Sequence, residues 1–368
     1  MLTAYQLDQL IEPISSLYER YQTSVIEDIA RRLANLDFAS AAWQVQRLNE
    51  SAALYEEILD ELAILTGKSQ HELRRLFEKA GVKAMRFDDS IYRAAGLDPL
   101  PLNMSPAMVQ VLKVGLSRTD GLLYNLTAST VLSGQEAFKS AADLAYMQVS
   151  TGAMDYNSAI KSAIVDLADQ GLHVARYPGR TDQIDVAMRR AVLTGVNQTA
   201  AELSIARMNE LGVDLVQTSA HIGARPAHQI WQGKVFSRSG THGKYPDFVA
   251  ETGYGTVTGL CGVNCRHSFY PYYEGLSADH YQQAELEGYA KKTVTYKGEE
   301  IGVYEATQEQ RGIERKIREW KRRKNALEAA GLDTEFETAK IREWQSRMRS
   351  FIGETGLQRQ REREQIWA

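Results

Sequence analysis

LCGVNCRHSFYPYY, residues 260–273, holds both cysteines of a 368-residue chain, Cys261 and Cys265, with His267 close behind and tyrosines after it. A second dense stretch, SAHIGARPAHQIWQGKVF at 219–236, adds His221 and His228. The glycine-rich residues between them have no helical period, so this part reads as loops and short strands. Further on, VTYKGEEIGVYEAT (294–307) has the pattern of a hairpin turning at Lys297–Glu300. Residues 213–304 are therefore expected to form a small, loop-rich α+β module.

On either side of this module the pattern is helical. Leu7, Leu10, Ile11, Ile14, Leu17, Tyr18, Tyr21, Val25, Ile29 and Leu33 recur at spacings of three and four, which puts them on one side of a helix. Leu54, Ile58, Leu59, Leu62 and Leu65 form a second stripe that is expected to stop at Gly67. A new helix is then expected to open at an N-cap, Ser69, with Glu72 three residues later, and to close at Gly81. Three of the eight prolines fall within LDPLPLNMSPAM (97–108) and break the pattern. We divide the helical part there into 1–100 and 101–212. From 305 to 368 the chain is a charged tail. KIREW occurs at 316–320 and again at 340–344, and AAGLDTEF between the copies predicts a helical hairpin. The fold class is α+β, predominantly α-helical.

Composition narrows the function. The net charge of −4 argues against capture of nucleic acid by the whole surface, although Lys321, Arg322, Arg323 and Lys324 form a local basic cluster. Two cysteines make no disulfide framework, and no leader or membrane-spanning run of about 20 apolar residues is read. No P-loop, G-x-S-x-G or H-E-x-x-H motif is present.

The two dense stretches carry what chemistry there is. Zinc needs about four converging nitrogen or sulfur donors. Cys261, Cys265 and His267 supply three candidates, with His221 or His228 as the fourth. Cys265 beside Arg266 and His267 would act as a thiol nucleophile only if the fold gathered a base around it. The reading we prefer is structural, with no catalytic residue and no cofactor; zinc on these donors is the alternative. In it, Arg225, His228, Asn264 and Arg266 donate to backbone groups of buried loops, Gly233 makes the turn before Lys234, and Tyr270, Tyr272 and Tyr273 suit an interface or domain rim.

These residues also carry a resemblance. Arg225, His228, Gly233, Lys234 and Phe236, followed by Asn264, Cys265, Arg266, His267 and Pro271, resemble the R-x-x-H…G-K-x-F and N-C-R-C or N-C-R-H elements of the tailed-phage minor capsid protein 2 family, related to the Mu F-like head morphogenesis module. His267 stands where many members of the wider module have a second cysteine. The resemblance implies a virion component inside the head near the portal, made in the host bacterial cytoplasm. Its partners would be portal and capsid proteins of the same phage, with packaged DNA a further contact and neither membrane nor small-molecule substrate involved. Two alternatives stand beside it: a zinc-stabilised, DNA-associated protein using Lys321–Lys324, and an enzyme with a thiol or metal centre in 219–273.

Overall fold

A computed structural model describes residues 3–40, 42–177, 180–277 and 280–366. Its helices are α1 (Ala4–Ala34), α2 (Trp43–Ala94), α3 (Pro106–Ser150), α4 (Tyr156–Gln170), α5 (Ile184–Glu210), α6 (Pro226–Gln229), α7 (Phe248–Thr252), α8 (Gln283–Lys291), α9 (Val303–Ala329) and α10 (Glu335–Thr355). The strands are β1 (His173–Tyr177), β2 (Arg180–Gln183), β3 (Leu215–Thr218), β4 (Val235–Ser237), β5 (Phe269–Pro271), β6 (Thr293–Tyr296) and β7 (Glu299–Gly302). The class is mostly helical α+β, as expected. Among the described residues no helix is long and apolar enough to cross a membrane.

The stop expected at Gly67 does not occur. α2 runs unbroken for 52 residues, about 78 Å at 1.5 Å per residue. Gly67 faces open space, where glycine costs a helix only about 1 kcal/mol. Ser69 does not cap; its hydroxyl donates back to the Thr66 carbonyl at 3.0 Å. Gly81 is a packing position, where a Cβ would lie 3.2 Å from Leu112 and 3.3 Å from Leu203. The proline-rich break does hold: between α2 and α3 the chain has no α-helix, only a turn at Ala95–Gly96 and a 3-10 turn at Leu102–Met104. The antiparallel pair β1–β2 was not anticipated within the helical region.

Two compact units divide the chain. One comprises Met1–Pro13, Gln70–Leu122 and Arg189–Thr307. Its centre is the three-stranded antiparallel sheet β4-β3-β5. Val216 of β3 pairs with Phe236 on one side and Pro271 on the other, so the two dense sequence stretches meet across four residues of strand. Val216, Trp231, Phe236, Phe248, Leu260, Cys261, Cys265 and Phe269 pack with Tyr92 of α2 and Ala201 and Met208 of α5 in one core. In the same unit α3 and α5 approach closely. A Cβ on Gly115 would lie 2.1 Å from Thr199 Oγ1, and one on Gly195 would lie 2.2 Å from Thr119 Oγ1. The β6–β7 hairpin turns at Lys297 and Gly298, both with positive φ, as a tight hairpin requires.

The other unit comprises Ile14–Ser69, Leu123–Met188 and Gln308–Ala368. Ile14, Tyr18, Tyr21, Val25, Ile29 and Leu33 are buried here, while Leu59 of the second stripe is exposed. Tyr21 shares a buried 2.6 Å hydrogen bond with Thr130. The expected helical hairpin is present as α9 and α10, but its two KIREW copies differ. Ile317 is fully buried and Ile341 only half-buried. After α10 the chain lies along α9: Gln310 donates to the Gln358 carbonyl at 3.0 Å and Arg318 to the Arg363 carbonyl at 2.6 Å.

Candidate functional site

Arg225 is the N-cap of α6, and Pro226 starts that helix, where a missing N–H costs nothing. One turn on, His228 enters the core at 2 % exposure. The opposing wall is the turn 259–268. Cys261 and Asn264 both adopt left-handed backbone there, with φ of 59° and 57°. Gly259 and Gly262 let backbone pass against backbone, since a Cβ on Gly262 would sit 2.5 Å from the Val257 carbonyl oxygen.

The turn and α6 are bonded directly. Arg225 donates to the Val263 carbonyl at 3.0 Å, and His228 Nε2 lies 2.8 Å from the Thr258 carbonyl oxygen. Cys265 Sγ stands 3.7 Å from His228 Nδ1 and 3.7 Å from His267 Nδ1. Among the described residues, His228, Cys265 and His267 form the group whose donor atoms could share a metal ion, all lying within 4.8 Å of one another.

Two candidates of the donor set fall outside this group. Cys261 turns its thiol to the His267 carbonyl at 3.6 Å. The His221 ring stacks on His267 at 4.3 Å, with its Nδ1 beside the Ile222 carbonyl and its buried Nε2 without a hydrogen-bond partner.

Burial sets the electrostatics. Loss of water pushes His267 down to about 2, with His221, His228 and Arg225 adding like charge. It also lowers His228 and His221 and raises the Cys265 and Cys261 thiols. Backbone N–H groups of His267 and Cys261, and the charge of Arg225, partly offset the rise at Cys265.

The remaining predicted residues are dispersed. Arg266 reaches both carboxylate oxygens of Asp8 near the start of α1, and Arg189 of α5 shares that carboxylate at 3.0 Å. Asn264 is exposed and holds its place in the turn through its left-handed backbone; among the described residues no hydrogen bond from its side chain to a buried backbone group is found. Gly233 holds φ 73° before β4, and the exposed Lys234 takes part through its carbonyl, which accepts from Thr218 N at 3.0 Å. Tyr270 and Tyr272 are buried in the unit and not on a rim; Tyr270 packs edge-on to Phe87 at 5.3 Å.

In the other unit, the basic cluster is already engaged. Lys321 meets Gln365 at 2.8 Å, and the buried Arg322 donates to the Ala168 carbonyl. Arg323 is bidentate to Asp169 at 2.5 and 2.7 Å, and Lys324 pairs with Glu328.

Two supporting residues escaped sequence reading. Gln232, at 2 % exposure, accepts from His221 N and faces His267 Nε2, both at 3.2 Å. Asn197 of α5 donates to the carbonyls of Cys265 and His267 at 3.1 and 3.3 Å. Gln232 lay inside the dense 219–236 stretch, which was its one signal. Asn197 had none, since its partners are nearly 70 residues away.

The histidines and cysteines thus form a buried knot held by loop-to-loop hydrogen bonds. The profile of the family described as phage minor capsid protein 2 matches residues 2–353. A structural protein of Lactococcus phage LL-H is 26 % identical over 366 residues, covering 93 % of this chain and 94 % of its own length. A structural protein of Lactococcus phage mv4 is 38 % identical over 130 residues, covering 33 % of this chain and 93 % of its own. No solved structure matches. The chain belongs to the phage minor capsid protein 2 family.

Proposed function

We propose that this protein is a non-enzymatic structural component of the phage virion, placed inside the head near the portal and working by binding portal and capsid proteins. Both relatives are named as structural proteins, and the family profile spans nearly the whole chain. The protein-binding part of this reading is carried by a cleft of about 630 Å3 in the second unit, where Trp344, Arg315, Lys316 and Arg347 stand beside Glu309 and Glu319. Tryptophan and arginine at a concave site are the residue types on which protein interfaces concentrate their binding energy. A scaffold role also fits His228, His267, Cys261 and Cys265, which at 1–2 % exposure are too buried to meet a substrate.

The test is co-sedimentation of the full chain with portal protein of the same phage at micromolar concentration. Association is expected, weakened about tenfold or more by Trp344→Ala with Arg347→Ala. Absence of association, together with absence of the protein from purified virions by mass spectrometry, would overturn the proposal.

A further inference from the structure

We infer that His228 Nδ1, Cys265 Sγ and His267 Nδ1 bind one zinc ion, which locks α6 to the 259–268 turn. The hydrogen bonds around the cluster decide the tautomers. A carbonyl oxygen only accepts, so His228 Nε2, 2.8 Å from the Thr258 oxygen, carries the proton. Gln232 Oε1 accepts the backbone N–H of His221, which identifies that end of the amide as oxygen; His267 Nε2 beside it is therefore also protonated. Both Nδ1 atoms are left as lone pairs, and both face the same sulfur at 3.7 Å.

A thiol has one proton and cannot donate to both nitrogens. In a site where the three residues are 2 %, 2 % and 1 % exposed, the nitrogen left over is a buried acceptor without a donor. A metal cation resolves this by accepting from all three donors at once. The spacing suits zinc: tetrahedral bonds of about 2.3 Å to sulfur and 2.0–2.1 Å to nitrogen place sulfur and nitrogen about 3.6 Å apart.

The surroundings are those of a metal shell. Each imidazole gives its other N–H to an oxygen. Arg225 adds a positive charge nearby, which the Cys265 thiolate offsets. Three protein donors leave one position of four-coordinate zinc for water. The three donors are buried, and the ion would join segments 37 residues apart.

The site stands or falls independently of portal binding. The experiment is elemental analysis of the full-length chain, purified without a histidine tag or chelator, followed by exchange of zinc for cobalt. One zinc per chain is expected, and the cobalt form should show a sulfur-to-metal charge-transfer band. That band should vanish in Cys265→Ser and persist in Cys261→Ser. Gln232→Leu keeps all three donors and should weaken zinc affinity about 10–100-fold with far-ultraviolet circular dichroism unchanged. A folded, metal-free chain that takes up neither zinc nor cobalt on titration would overturn the site. So would a charge-transfer band that survives Cys265→Ser or is lost in Cys261→Ser.

Discussion

At the scale of single residues, Arg266 shows how a side chain read as a loop donor acts over a longer range. It grips both oxygens of Asp8, while the pair remains only 20 % and 15 % exposed. Hydrogen bonds between charged partners contribute about 1.5–3 kcal/mol when water is largely excluded. Arg266→Ala is expected to lower unfolding stability by about 2 kcal/mol in urea titrations, and Arg266→Lys to restore less than half, since an ammonium cannot fork.

Glu314 of α9 gives a pH-dependent case. Burial pushes its carboxyl above the usual value; Arg363, Arg318 and Arg311 pull it back and Glu364 adds to the rise. The folded chain therefore holds this proton more tightly than the unfolded one. The resulting stability is complete below the unfolded value near 4.5 and is lost as pH rises through the higher folded value. Glu314→Gln is expected to be more stable than wild type at neutral pH, with the gap closing below about pH 4. Denaturant titrations across that range check it; a gap independent of pH would contradict the sign.

At the scale of elements, the close approach of α3 and α5 rests on two glycines facing two threonines. Gly195→Leu forces the helices apart against Thr119 and is expected to cost at least 1–3 kcal/mol, the usual range for overpacking. Gly67→Ala, in the same class of substitution but facing solvent, is expected to stabilise α2 by up to about 1 kcal/mol. Thermal unfolding of both variants separates the two roles of glycine. The contrast explains why the sequence signal at Gly67 misled: a glycine two residues before a Ser-x-x-Glu pattern resembles a stop and restart. It becomes neither when the helix passes it in solvent and the serine bonds backwards.

At the scale of the whole molecule, the net charge of −4 and the internal engagement of Lys321, Arg322, Arg323 and Lys324 bear on DNA. Side chains held within the fold, two of them on carboxylates, are poorly placed to displace phosphate counterions. The chain is expected to show no retention of duplex DNA at about 0.15 M salt, and little dependence of any residual binding on salt. Fluorescence anisotropy across a salt series measures both.

The helical stripes of α1 and α2, the proline break before α3, a hairpin turning within Lys297–Glu300 and the α9–α10 hairpin were legible in the sequence, because each depends on neighbours three or four residues away or on a short turn; the continuity of α2 through Gly67 was not. The same locality made the 219–236 and 260–273 stretches recognisable as one dense region. What only tertiary structure decided was which of five candidate donors converge. Cys261 and Cys265 are chemically alike and four residues apart, yet left-handed backbone at 261 and 264 turns one thiol to a carbonyl and the other to two imidazoles. That choice, like the support from Asn197 and Gln232 and the pairing of Arg266 with Asp8, depends on contacts between distant segments, which composition and spacing do not encode.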